Sequence, residues 1–306
     1  MDLHDRTIDY RFRDKIPEVR EIFKEKIEHL EDPNLVYQQD IDKTMTNDYW
    51  VEKFLEWNKG NTIKTADGLV NAAKSIKKHR TRELKKTDLF AEVYSVGTFF
   101  KYEPDKFGRT VYYSKGRYSA ACKDTRDLSR QLGMYVNLMM EEESGDKGFI
   151  VVSDCSGMSM ANVDLKLASA NMEIMEVFPN SCALFVCVNV PTFLRYIINS
   201  LMYLLPEEKR KGVLIIPQEQ LPEVIPLENI PDFLGGTCTK PYNGPDMVPE
   251  GCVPLREQFK KFVKSKDVDE IIPENDKHNS PLMLQFDTET MLRTVQYYEK
   301  LLGISF

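Results

Sequence analysis

Three short runs, 148–154 (Gly-Phe-Ile-Val-Val-Ser-Asp), 182–188 (Cys-Ala-Leu-Phe-Val-Cys-Val) and 212–216 (Gly-Val-Leu-Ile-Ile), constrain this chain more than anything else in it. They are apolar along nearly their whole length, so a strand made from each must be covered on both faces. Such strands occur in parallel sheets, whose crossover connections put helices over the sheet. The segments around the runs supply those helices: 125–142, 162–178 and 193–205 have helical period. The predicted class is therefore α/β, with a mixed, mostly parallel sheet.

Two further strands are predicted ahead of the first run. Residues 98–102 and 109–114 are rich in aromatic and β-branched side chains and flank Asp105-Lys106-Phe107-Gly108, a hairpin turn. Before residue 90 the pattern is helical throughout. Val19, Ile22, Phe23, Ile27 and Leu30 share one stripe, with Pro17 in the first turn. Trp50, Val51, Phe54 and Leu55 form a second stripe that stops near Gly60, and Leu69, Ala72, Ala73 and Ile76 form a third. Short amphipathic helices of this kind bury their stripes only against one another or a neighbouring domain. From 241 to 254 the chain is rich in Pro and Gly. Two helical pieces, 255–264 and 288–302, are expected after it, the second capped by Asp287 and separated from the first by a polar stretch, 265–280. The expected organisation is a helical region at 1–90, an α/β domain at 91–254 and a C-terminal helical extension at 255–306.

Composition limits the function. The 306 residues carry a formal net charge of −7, which argues against a nucleic-acid partner. At 42% hydrophobic and 29% charged, the sequence can build a sizeable core. No run is long enough to span a bilayer. The six Cys include no CxxC pair, and Cys155, Cys182 and Cys187 lie in apolar runs, so a reducing, cytoplasmic setting is expected. Enzyme chemistry finds little support. The four His have no metal-ligand spacing, and neither a P-loop nor a GxSxG elbow is present. Ser153-Asp154-Cys155-Ser156-Gly157 follows a buried strand, but the first His beyond it is His278. Asp154 and Ser156 read more simply as turn caps than as part of a hydrolase site.

Two features remain. Segment 193–205 is apolar nearly all round. That suits a buried helix, or a lid over an apolar cavity that also touches a membrane surface. Segment 74–86 holds seven basic residues and one Glu, and Lys209-Arg210-Lys211 follows the apolar helix. Such clusters are either solvated faces or attractors of anionic lipid.

Five motifs in order resemble the CRAL-TRIO family, the lipid-exchange fold of phosphatidylinositol-transfer and retinal- or tocopherol-binding proteins. Asp105-Lys-Phe-Gly-Arg-Thr-Val111 resembles its D-x-x-G-R-P-V hairpin, and Asp154-Cys-Ser-Gly-Met-Ser159 its D-x-S-G-x-S turn. Glu176-Val-Phe-Pro179 is similar to x-x-Y-P, and Asn189-Val-Pro-Thr-Phe193 to the N-x-P-x-x-F lead into a mobile helix. Ile225-Pro-Leu-Glu-Asn-Ile-Pro-Asp-Phe-Leu-Gly-Gly236 resembles the L-P-x-E-x-L-P-x-x-Y-G-G close. The likeness spans about residues 48–240. Asn47-Asp-Tyr-Trp-Val-Glu-Lys-Phe-Leu-Glu-Trp57 is similar to the opening of the CRAL-TRIO segment in motile sperm domain-containing membrane tethers. Their seven-stranded sandwich and anchor have no counterpart, so the chain is expected to be a stand-alone relative or a shortened piece, and tethering is not carried over.

The resemblance implies a helical cap, a mostly parallel sheet that floors an apolar pocket, and a gate helix at 193–205. Phe193, Ile197 and Leu201 would line the gate. Val111, Tyr113, Phe149, Val151, Phe185, Cys187, Leu214 and Ile216 would supply the walls, the available face of each strand being open at this stage. Arg80 and Lys211 match family head-group positions, and Lys77, Lys78 and Arg82 would turn the mouth towards an anionic membrane. Asn180-Ser181 replaces the family's acidic and basic pair after Pro179, and His79 replaces a Trp, departures that leave the lipid unnamed. The expected function is non-enzymatic binding and transfer of a lipid by a monomer peripheral to membranes, with no cofactor beyond the bound lipid. The alternative is an interaction module with a filled pocket and a partner-binding tail at 241–306.

Overall fold

The computed structural model describes residues 8–119, 126–163, 167–203, 210–258, 293 and 295–300. Four helices open the chain: α1 (Ile16–Glu28), α2 (Gln38–Thr46), α3 (Asp48–Trp57) and α4 (Thr62–Lys78). Asn47 and Asn61 cap α3 and α4, their side-chain oxygens accepting from the backbone N–H of Trp50 and Lys64. Gly60 lies between them at φ +75°, with the ring of Phe12 so close that a Cβ would meet it at 2.5 Å. Helix α2 escapes sequence reading because its Gln38–Thr46 run is mostly polar and buries Asp40 and Thr44. Helix α5 (Ala91–Val96), just ahead of the first predicted strand, is not anticipated from the sequence. It is one and a half turns of residues with mixed propensity, closed by left-handed Gly97 at φ +65°.

The sheet follows the predicted strands closely: β1 (Phe99–Tyr102), β2 (Thr110–Lys115), β3 (Phe149–Asp154), β4 (Cys182–Val188) and β5 (Val213–Ile215). Their spatial order is the chain order. β1 and β2 form an antiparallel hairpin, and the remaining pairs are parallel. The crossovers run through α6 (Arg126–Ser144), α7 (Leu167–Val177) and α8 (Thr192–Met202). Each steps one strand in the same direction, so the right-handed rule places all of these helices over one sheet face. The opposite face is closed by short 3₁₀ turns between Gln218 and Leu234.

The helical region shares one core with the crossover helices. Val19 and Phe23 of α1, Val51, Phe54 and Leu55 of α3 and Leu69 and Ile76 of α4 pack with Met134 and Leu138 of α6 and Val177 of α7. A buried ion pair crosses the same junction. Lys53 of α3, fully buried, pairs with Glu141 of α6 and donates to Ser181 Oγ (2.8 Å) just before β4. Burial pushes the Lys53 ammonium down to about 8, against the pull of Glu141.

The β1–β2 turn is built on a second buried pair. Asp105 Oδ1 accepts from the backbone N–H of Phe107 (3.0 Å) and Arg109 (2.8 Å), and its Oδ2 accepts from Arg109 Nε (2.8 Å). Gly108 takes φ +75°, which the turn demands and a Cβ would resist. Of the expected C-terminal pieces, 255–258 and 295–300 are helical, with Val295 and Tyr298 against Leu89 and Phe90. The polar stretch 265–280 lies outside the described residues. No described helix is long and apolar enough to cross a membrane.

Candidate functional site

Strand alternation and the covering elements sort the predicted wall residues into two groups. Val111, Tyr113, Leu214 and Ile216 point to the closed face, where they pack with Ile150, Val152, Leu221, Val224 and Ile225. That face is filled by protein: Phe100 stacks on Tyr113 at 5.5 Å and on Tyr242 at 4.8 Å. Phe149, Val151, Phe185 and Cys187 point the other way, towards the crossover helices. Phe149 and Val151 are taken up beneath α6 with Tyr112 and Met140. Cys187 sits with Cys155 beneath Leu194 of α8. The structure therefore brings Cys187 together with Phe193 and Ile197, places Phe185 on the same sheet face, and leaves Val111, Tyr113, Leu214 and Ile216 on the far side of the sheet.

Phe185 marks the site. β4 has neighbours on both sides, and its helix-facing side chains should be covered, yet Phe185 is 38% exposed. Val213, its partner on β5, and Ser153 and Ile215, the partners of Cys187, are only half-buried, whereas Val151, its partner on β3, is buried. The helix on the same face is correspondingly exposed. α8 is mainly apolar, but Leu194 is its one buried side chain. Phe193, Ile197, Ile198, Leu201 and Met202 are half-buried, and Tyr196 and Tyr203 are 71% and 80% exposed. Apolar side chains of the sheet and of α8 on this face are thus incompletely covered. Sequence reading missed Met158, Val163, Val190 and Ile215, which pack against the same cluster. The first three lie in loops, where no period marks them. The end of the gate stretch, Leu205, lies outside the described residues.

The turn after β3 supports α8 and is held by hydrogen bonds. Asp154 Oδ1 accepts from the Ser156 N–H (3.0 Å) and from Asn189 Nδ2 (3.0 Å), and Asp154 Oδ2 accepts from the Ser156 hydroxyl (2.7 Å). Gly157 then reverses the chain at φ +70°. These bonds make Asp154 and Ser156 the turn caps expected from sequence, joined to the Asn189 that leads into α8.

The basic residues divide as well. Arg82 is not presented to solvent. Its guanidinium pairs with buried Asp40 (2.6 Å) and with Glu142 (3.0 Å), fastening the segment after α4 to α2 and α6. Arg80 pairs with Glu83 at 2.5 Å, and Lys77 lies 4.0 Å above the Tyr37 ring. Lys78 and Lys211 are exposed. Lys74, Lys77 and Lys78 line a cleft of about 480 Å³ with Asn34, Leu35, Asn71, Ser75 and Glu173. Glu173 is already engaged there by Ser75 (2.6 Å) and His79 (3.0 Å), and with these partners its carboxyl lies below the usual range despite partial burial, which acts the other way.

The CRAL/TRIO domain model matches residues 94–236, from α5 through the last 3₁₀ turn of the closed face. The crystal structure of Sfh5 superposes with a TM-score of 0.51 at 13% identity, covering 84% of this chain and 96% of that one. At that identity the likeness is one of fold, and it includes the helical region before the domain. No curated protein matches the sequence. The sheet of residues 94–236, its three crossover helices and the Gly235-Gly236 close belong to the CRAL/TRIO domain family.

Proposed function

We propose that this protein binds a long apolar ligand, a lipid, between the β3–β5 floor and α8, and exchanges it at a membrane surface without chemical change. The single observation that carries the reading is the open floor: a central-strand Phe185, 38% exposed, on the sheet face that also carries α8, an apolar helix with one buried residue. Each methylene removed from water contributes about 0.8 kcal/mol, so an acyl or isoprenoid chain would hold tightly in that space. The CRAL/TRIO match supports a lipid over other apolar ligands.

Exchange follows from the same imbalance. In water, lifting α8 exposes Phe193, Ile197 and Leu201 as well as the ligand. Against a bilayer, those side chains enter an apolar medium, and the open and closed states approach each other in free energy. Tyr196 and Tyr203 suit the headgroup level, where an amphipathic ring has one dry and one wet side. The setting that matches this reading is cytoplasmic and peripheral to membranes.

Native mass spectrometry of the freshly purified chain, followed by organic extraction, tests the pocket. A stoichiometric excess mass that extracts as a lipid is expected. An apo mass that persists after incubation with mixed vesicles would overturn the reading in favour of a filled interaction module.

The cleft of Lys74, Lys77 and Lys78 is the attractive surface for anionic lipid, since its three lysines outnumber its one carboxylate, Glu173. Each basic residue near such a surface contributes about 1 kcal/mol. Changing all of them to Glu should therefore weaken binding to phosphatidylserine vesicles by on the order of a hundredfold or more. Sedimentation with vesicles at low and high salt measures it. Binding that ignores both the substitutions and the salt would make this cleft an ordinary solvated face.

A further inference from the structure

The candidate site contains a pair of thiols that lipid binding does not require. Cys155 follows the end of β3, and its backbone N–H donates to Val188 O at 3.0 Å. Cys187 lies on β4, opposite Ser153 in the ladder. Each is 3% exposed, and they share one cluster with Leu194, the only buried anchor of α8. The two thiols are close enough to shift each other's titration, which lowers the pKa of Cys155 and raises that of Cys187. The Cys155 sulfur also lies 3.8 Å from Ser153 O. Access comes from the same face, because Phe185, two residues before Cys187, is open.

We propose that Cys155 and Cys187 form a paired-thiol modification site, which hydrogen peroxide closes to a disulfide and which thereby sets how firmly α8 sits on the sheet. The Cys155 thiolate attacks one peroxide oxygen. An S–O bond forms, the O–O bond breaks, and the departing hydroxide takes up the proton the thiol released, leaving as water. The Cys187 sulfur then attacks the Cys155 sulfenic acid. The S–S bond forms, the S–O bond breaks, and the hydroxyl leaves with the Cys187 proton as a second water. Two thiols and one peroxide become one disulfide and two waters.

The consequence for α8 is geometric. Closing the pair draws the two sulfurs to a bond of about 2.05 Å with a fixed dihedral, and the surface under Leu194 changes shape. Leu194 has no second buried residue on α8 to share its load. The oxidised protein should therefore hold α8 less firmly.

The test uses the whole chain and no ligand, so it stands apart from the lipid reading. Reduced protein is treated with hydrogen peroxide, quenched with an alkylating agent under denaturing conditions, digested and mapped by mass spectrometry. The expected product joins the Cys155 and Cys187 peptides with the loss of two hydrogens. Recovery of both cysteines alkylated, or bonded only to other cysteines, overturns the site. Hydrogen exchange of residues 192–202 is then compared between reduced and oxidised protein. Faster exchange in the oxidised form, on the order of tenfold, is expected, with no peroxide effect in Cys155→Ser or Cys187→Ser. A disulfide that leaves this exchange unchanged overturns the control of α8.

Discussion

Ile197→Asp should slow lipid transfer between vesicles by on the order of a hundredfold while leaving the protein folded. Ile197 is half-buried on α8 among Cys187, Leu194 and Ile215. In the closed state an Asp there would face an apolar floor, and in the open state it would face the bilayer. A carboxylate among lipid chains costs about 3 kcal/mol, which converts to roughly a hundredfold in rate if opening at the membrane limits exchange. The fold should survive because α8 rests on the sheet through Leu194 and lies outside the main cores. A fluorescent-lipid transfer assay, with far-UV circular dichroism as the control for folding, measures both. A wild-type transfer rate would remove α8 from the exchange mechanism. Phe193→Asp should act in the same direction for the same reason.

The largest expected effect on stability lies in the β1–β2 turn. Asp105→Ala should lower the unfolding free energy by about 3–5 kcal/mol, the usual result of removing one partner of a buried ion pair. Two causes act together. The Arg109 guanidinium, 2% exposed, would be left charged and buried without its counter-ion. The backbone N–H groups of Phe107 and Arg109 would lose their acceptor. The double variant Asp105→Asn with Arg109→Met separates these causes, because Asn keeps an acceptor in the turn and Met fills the arginine's volume without charge. It should recover most of the loss. Urea unfolding monitored by fluorescence gives both numbers. A single variant within about 1 kcal/mol of wild type would show that the pair is dispensable.

Both predictions concern residues that the sequence singles out, but not to the same depth. The Asp105-Lys-Phe-Gly-Arg-Thr-Val111 turn is legible because its chemistry is local. The acceptor, the left-handed glycine and the arginine lie within five residues. The parallel strands are legible for a similar reason, since a strand covered on both faces needs apolar side chains at every position. Helix α2 was not, because buried Asp40 depends on Arg82, far along the chain. The basic run 74–86 shows the same limit. Its charge is evident in the sequence, yet Arg82 is consumed by Asp40 and Glu142, and Lys77 covers Tyr37.

What the sequence determined by itself is the class of fold, the strand positions, the hairpin, the turn after β3 and the apolar character of α8. Each follows from side-chain period or from bonds between near neighbours. What only the tertiary structure decided is which face of the sheet is open. Alternation makes Val111 and Tyr113 as good a wall as Phe185 and Cys187, because both sets are apolar and both belong to covered strands. The choice is made by segments distant in sequence. The turns from Gln218 to Leu234 fill one face with Leu221, Val224, Ile225, Ile230 and Leu234. α8, with Leu194 as its one buried side chain, leaves Phe185 on the other face exposed. A cavity is the place where packing is incomplete, and incomplete packing is a property of the assembled layers that no single strand or helix encodes.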